Sequence, residues 1–391
     1  MGVESHAGPG SEASPAQPEQ VAQLPGQLST TIRDRTVTDP DGARWAWRGH
    51  DPVTQLREWG TERVHPLPGP EVAEWVIGSD PSAALCLVDP SGLVSRRHAR
   101  LVRDGARWKI EDLRSKNGLH QDGERSPKFP IVPGVEIGIG SLALIAENDA
   151  LVDLRRYLAR VLGWDAEGRS AVEAAIQAIR EAANQRRPLV VGGAEDMVAV
   201  ARQIHRRTTA PGAPFVVCGS RPRESDLSVN VTATHADPVT AFELAAGGTV
   251  CVRAEQPPVR PERLMEIARD LLARTQTQLI ICANKPPRWW KATQAIVVPK
   301  LGRRSASDLQ NIVADYAIDA ICELDAAPTS FSIALRQWVA KHAASSFAEI
   351  EVTTRRIVAC NDAGNVHRAA ARLGLSHVAL GKWLRRRGLA P

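Results

Sequence analysis

The sequence predicts a multidomain chain of three structural classes: an all-β sandwich, an α/β unit on a parallel sheet, and an all-α tail. Three observations predict it. Between about residues 64 and 147, short apolar runs are broken at close spacing by turn residues, the texture of an antiparallel sandwich. Between 189 and 282, strand-like runs alternate with helical stretches, the rhythm of βαβ units. From 305 onward the pattern is helical only, and basic residues crowd toward the end. A length of 391 residues suits two or three domains, and 43% hydrophobic with 24% charged residues excludes a wholly disordered chain.

Residues 1–34 are read as a disordered tail, since they are rich in Gly, Pro, Ser, Ala, Gln and Glu and bury too little apolar surface to offset chain entropy. No apolar run reaches the roughly 18 residues of a membrane span. With no basic-then-apolar leader at the start, a cytoplasmic protein without membrane partners is expected. The six cysteines (Cys86, Cys218, Cys251, Cys282, Cys322 and Cys360) show no CxxC spacing, so neither a zinc site nor a disulfide framework is expected. The net charge of +5 is mild, so its placement decides its meaning.

In the sandwich, the strand candidates are Trp75–Ile77, Leu85–Val88, Ala99–Val102, Trp108–Ile110 and Leu142–Ile145. Asp89-Pro90-Ser91-Gly92, Asp104-Gly105, Asn117-Gly118, Asp122-Gly123 and Pro133-Gly134 supply the turns. Ser95-Arg96-Arg97-His98 ends one loop, and Ser115-Lys116-Asn117-Gly118 ends another. Short polar donors and cations on rigid loop tips are what phosphate recognition requires. With Glu111-Asp112-Leu113 before the second motif, the stretch resembles a forkhead-associated (FHA) domain, whose signature is Gly-Arg, then Ser-x-x-His, then Ser-x-Asn-Gly. The resemblance implies binding of phosphothreonine peptides, with Ser95, Arg96, Lys116 and Asn117 as the site and His98 bracing the loop from inside. Two positions depart from the pattern. Ser79 follows Gly78 where the family has Arg, and Lys116 stands in place of the usual Thr, so Arg96, Arg97 or Lys116 must supply the missing cation. A protein carrying phosphothreonine, or the chain's own N-terminal segment phosphorylated at Thr36 or Thr38, is the expected ligand, written by a Ser/Thr kinase pathway. The domain with its N-terminal extension is placed at 35–148.

Helices are predicted over 151–163, 170–184, 195–207 and 262–274, and strands at 189–191, 215–218, 249–252 and 278–282. The run 188–205 sets a strand, Gly192-Gly193 and a helix in phosphate-loop order. With the stretches 213–218, 241–250 and 279–284, the region 149–345 resembles the AAA+ domain of sigma-54-dependent (NtrC-type) activators. The reacting parts are missing. No Lys lies between 188 and 205, and Met197 falls near its position beside acidic Glu195 and Asp196. Arg253 and Ala254 replace the metal and water-activating acids. The stretch 219–240 is too short for the sigma-contacting loop, and Ala348 replaces the sensor Arg. Triphosphate chemistry needs these groups together. A scaffold that is not an enzyme is therefore expected, with no catalytic residue, cofactor or metal, and Arg303 and Arg304 serving as interface or solvated charges.

The tail, 346–391, reads as three helices: about 353–361, then 366–373, then 377–387 after a Gly374-Leu375-Ser376 turn with Ser376 as N-cap. It resembles the Fis-type helix-turn-helix that follows AAA+ in the same activators. The resemblance implies double-stranded DNA as a partner, with His377, Val378, Ala379 and Lys382 reading bases. Arg385 and Arg386, joined by Arg368 and Arg387, would grip phosphates, and Trp383 would pack on a partner subunit or on the AAA-like domain. Together these readings predict a DNA-binding transcriptional regulator acting as a homodimer or higher oligomer. The alternatives are a working sigma-54 ATPase activator with a divergent loop, and a phosphopeptide adaptor with a vestigial DNA domain.

Overall fold

A computed structural model describes residues 52–105, 107–194, 197–219, 233–284 and 295–389, with Met1 and Gly2. Alternation of apolar and polar residues builds two facing sheets. One runs in the order β2 (Val64–Pro66), β1 (Gln55–Glu58), β11 (Leu142–Glu147), β10 (Glu136–Ile139), β7 (Leu119–Gln121), β8 (Glu124–Arg125). The other runs β4 (Leu85–Cys86), β3 (Glu74–Gly78), β5 (Ala99–Asp104), β6 (Arg107–Asp112), β9 (Lys128–Ile131). Every pairing is antiparallel except the short parallel one between β3 and β4. Leu56, Ile77, Leu101, Ile110, Leu119, Ile137 and Leu144 interdigitate between the sheets, each fully buried.

The sandwich includes β1, a strand whose polar sequence hid it. Arg57 and Glu58 are buried there because partners satisfy them. Arg57 Nε donates to Glu147 at 2.9 Å and its Nη2 to Glu173 at 2.8 Å. Arg155 also binds both carboxylates, closing a four-membered charge network. Glu147 ends β11, Arg155 lies on α1 (Asp149–Leu162) and Glu173 on α2 (Ala166–Asn184), so the network fastens the sandwich to the next two helices. Arg180 of α2 adds bonds to the Gly134 carbonyl and, at 2.7 Å, to Asp122.

The third sheet is wholly parallel, in the order β14 (Ala233–His235), β13 (Phe215–Cys218), β15 (Thr249–Arg253), β16 (Gln278–Ala283), β12 (Leu189–Gly193), β17 (Ala295–Val298). Its four inner strands, β13, β15, β16 and β12, are buried on both faces, as parallel sheets require. Val191, Val217, Cys251 and Ile280 face one core, shared with α1, α2, α3 (Val198–Thr208) and α6 (Ala306–Glu323). Val190, Val216, Val250 and Leu279 face the other, under α4 (Pro238–Leu244) and α5 (Pro261–Arg274).

After α7 (Ile333–His342) come α8 (Phe347–Ala363), α9 (Val366–Leu373) and α10 (His377–Arg386). Gly364 (φ 60°) and Gly374 (φ 65°) end α8 and α9 in the left-handed conformation that favours Gly. Asn365 and Ser376 cap the helices that follow. Ala369, Ala370, Leu380 and Leu384 pack on Val358 and Ala359, and this cluster also takes in Ala320 and Leu324 at the end of α6. Phe347, Ile350 and Ile357 of α8 belong to the core of the parallel-sheet unit. The tail helices therefore share both cores with what precedes them.

Among the described residues, no helix is long and apolar enough to cross a membrane.

Candidate functional site

The two polar loops of the sandwich meet at one point. His98 is completely buried at the start of β5. Its Nδ1 accepts the Ser95 N–H at 3.1 Å, and its Nε2 lies 3.0 Å from the Gly118 carbonyl. These partners fix the neutral tautomer with the proton on Nε2. One imidazole thus joins two loops 20 residues apart in sequence. A second tie runs across the surface, where Ser95 Oγ accepts the Lys116 N–H at 3.1 Å. A third comes from Asn117, whose Nδ2 donates to the Leu93 carbonyl at 2.7 Å. Within the second loop, Asp112 takes the Ser115 hydroxyl at 2.6 Å, and Ser115 Oγ accepts the Gly118 N–H at 2.9 Å.

Gly78 is required by close approach. A Cβ there would lie 1.9 Å from the Arg96 carbonyl oxygen, because the backbone of 95–97 runs directly against it. Ser79 and Asp80 accept that proximity by donating their N–H groups to the Ser95 and Arg96 carbonyls, each at 3.1 Å. The Ser79 hydroxyl turns inward to the Val94 carbonyl at 3.0 Å.

Ser95, Arg96, Lys116 and Asn117 are therefore gathered on one surface, with Arg96, Arg97 and Lys116 exposed. Among the described residues none of these three cations forms an ion pair. The sequence reading missed Asp80, whose carboxylate is held below its ordinary range by the Ser82 hydroxyl and amide, and further by Arg96 and Arg97. The Gly-Ser-Asp order was its only sequence signal. It also missed Asp89, where burial opposes ionisation but bonds from Ser141, Ser91 and the Val94 N–H outweigh it. That carboxylate pins the 89–94 loop that carries Leu93. Thr36 and Thr38 lie outside the described residues.

In the parallel-sheet unit, β12 and α3 place Gly193 where a phosphate loop turns, but Met197 fills the turn. A Cβ on Gly193 would lie 2.6 Å from the Met197 sulfur, and Met197 is buried. Glu195, Asp196 and most of 219–240 lie outside the described residues. Arg253 is buried at the end of β15, and the Asn284 N–H is taken by Glu255. Arg304 donates to the Val161 carbonyl of α1, so it is an internal tie rather than a solvated charge.

On α10, His377, Val378, Ala379, Lys382, Arg385 and Arg386 are all exposed. The His377 ring stacks on His367 with centroids 4.2 Å apart, which ties the starts of α9 and α10. The half-buried Arg387 places its guanidinium 4.7 Å from the Trp383 ring centre and 3.4 Å from Glu349. Arg356 covers the same ring at 5.1 Å, and Trp383 packs against both the parallel-sheet core and the tail core within the chain.

Comparison with known proteins bears on the sandwich. The FHA domain family model matches residues 75–140, and the chain contains an FHA domain. A domain solved in a study of phosphothreonine-dependent FHA interactions is 26% identical, covering 24% of this chain and 94% of that one, with a TM-score of 0.22. The Mycobacterium tuberculosis protein EmbR, solved with a low-affinity phosphopeptide, is 31% identical over 24% of each chain, with a TM-score of 0.22. The FHA domain of the Chlamydia trachomatis CT664 protein is 23% identical, covering 24% and 95%, with a TM-score of 0.22. No curated protein matches the chain.

Proposed function

We propose that this protein is a DNA-binding transcriptional regulator whose FHA domain reads phosphothreonine and whose AAA+-like middle domain is a scaffold without ATPase activity. The observation that carries the reading is the pair of loops locked by His98, which presents Ser95, Arg96, Lys116 and Asn117 together on an FHA fold. Ser95 Oγ and the unpaired cations Arg96 and Lys116 offer a phosphate a hydroxyl and two charges, and charge-assisted bonds are the strong ones. Asn117, anchored through its Nδ2, keeps its Oδ1 for a peptide N–H. The inward-turned Ser79 supplies no cation, so recognition rests on Arg96 and Lys116.

For DNA, α10 follows a left-handed Gly374 and a Ser376 cap, and carries only exposed residues at the positions assigned to base and phosphate contact. Met197 over Gly193 and the absent Lys support a domain that does not turn over ATP.

The test uses the full chain. A fluorescent phosphothreonine peptide library and genomic DNA fragments are titrated in parallel. Arg96→Ala/Lys116→Ala is expected to lose peptide binding about tenfold or more while DNA binding stands. Lys382→Ala/Arg385→Ala is expected to weaken DNA binding and flatten its salt dependence. Salt-independent or absent DNA binding, with intact phosphopeptide binding, would favour the adaptor; magnesium-dependent ATP turnover lost on changing Gly192 would favour the working activator.

A further inference from the structure

The last two turns of α3 carry Arg202, Arg206 and Arg207, and beside them lies a cavity of about 400 Å³. Its far wall is the 209–213 backbone leading into β13, with Phe215 at its base. That volume is within the range of small-molecule sites. His205 shapes the wall without entering the chemistry. Its Nε2 holds the Ala213 carbonyl at 3.1 Å and its Nδ1 lies 2.9 Å from the Thr249 hydroxyl. Burial keeps the ring neutral, with its titration pushed down to about 4.

Of the three arginines, Arg207 alone has an ion-pair partner among the described residues. Arg207 is committed to Asp153 at 2.9 Å and lies over Tyr157, so it offsets the one carboxylate on the rim. Arg202 and Arg206, one helical turn apart, form no ion pair or hydrogen bond among the described residues. Burial and then the neighbouring Arg206 make the half-buried Arg202 less basic than usual, an effect that the carboxylates of Glu351 and Glu323 offset only in part. Glu351 attracts both arginines but forms an ion pair with neither; it accepts from Gln203 at 2.8 Å, and burial disfavours its ionised form. Like charges at i and i+4 cost stability when nothing lies between them. Relief of the helix dipole accounts for basic residues in a last turn, but not for a cavity beside them.

We infer that this cavity is a binding site for a small phosphorylated molecule, held through a phosphate or pyrophosphate group by the Arg202 and Arg206 guanidinium forks. Guanidinium geometry matches phosphate oxygens two by two, and the ligand converts a repulsive pair into a bridged one. The site is separate from the phosphate-loop turn. The cavity opens where chain enters β13, at the N-terminal edge of the parallel sheet, whereas Gly193 ends β12 at the C-terminal edge. It is also distinct from the FHA loops and independent of their reading.

The probe is inorganic pyrophosphate, titrated calorimetrically into the full chain, with citrate as a carboxylate control. Saturable binding is expected, weakened about tenfold or more in Arg202→Ala/Arg206→Ala and unchanged in Arg269→Ala, an exposed arginine of α5. Should the double variant unfold, Arg206→Ala alone serves, since that side chain is exposed, with Arg206→Lys restoring part of the loss. No saturation up to about 10 mM, equal binding of citrate, or undiminished binding in the variants would overturn the assignment.

Discussion

Replacing His98 by Ala tests the idea that one buried imidazole holds the recognition surface together. The substitution removes the bond from the Ser95 N–H and the bond to the Gly118 carbonyl. It leaves a completely enclosed space where the ring stood. A buried polar group stripped of its partner costs about 1–3 kcal/mol. Gly118 is buried and bears that cost fully, while half-buried Ser95 recovers part of it from water. With the lost packing, the expected total is about 3 kcal/mol, or roughly a 150-fold rise in the opening of both loops. Hydrogen exchange read by mass spectrometry on peptides covering 93–101 and 113–121 reports each loop separately. Exchange should quicken in both, and phosphopeptide affinity should fall although no contact residue has changed. Exchange within threefold of wild type in both segments, or a change confined to one of them, would refute the account.

Gly78→Ala should be as damaging as a core substitution, about 3 kcal/mol or more in urea unfolding, because the added carbon meets backbone that cannot yield. Arg57→Ala removes one of the two arginines that bridge Glu147 and Glu173, while Arg155 and Gln55 still hold Glu147, so a loss of about 1–3 kcal/mol and easier proteolysis near 148 are expected. Ser376→Ala removes the cap of α10 and should cost about 1 kcal/mol in thermal unfolding, with weaker DNA binding. His205 titrates near 4 when folded and near 6.5 when unfolded, so its contribution is complete above about pH 6.5 and is lost as pH falls to about 4. That gap corresponds to about 3 kcal/mol, and a Tm-versus-pH curve should be flatter over this window in His205→Gln than in the wild type.

The FHA loops were legible in the sequence because their chemistry is local. Ser95 with His98, and Ser115 with Gly118, form contacts specified within four residues, and the ties across the loops, from His98 to Gly118, Lys116 to Ser95 and Asn117 to Leu93, needed the fold. The same holds for Gly374 and Ser376, where a left-handed stop and an N-cap are properties of single residues. The strand β1 was not legible. Charged side chains such as Arg57 and Glu58 are rarely buried unpaired, and only carboxylates and cations brought from elsewhere make them tolerable inside. The neighbours of Arg387 were not legible for the same reason: the sequence shows only the basic residues beside it, and the fold brings Glu349 to it.

By itself the sequence determined the order of β-only, mixed and helical stretches, the two polar loops of the sandwich, the absence of a lysine between 188 and 205, and the capped basic helix at the end. These follow from period, turn chemistry and the presence or absence of particular side chains, all of which act over a few residues. Tertiary structure alone decided that Met197 fills the turn at Gly193, that α8 joins two cores, and that Arg202 and Arg206 line a cavity with no ion-pair partner among the described residues. Each depends on which distant segment lands beside a residue, and burial and charge pairing take their values only there.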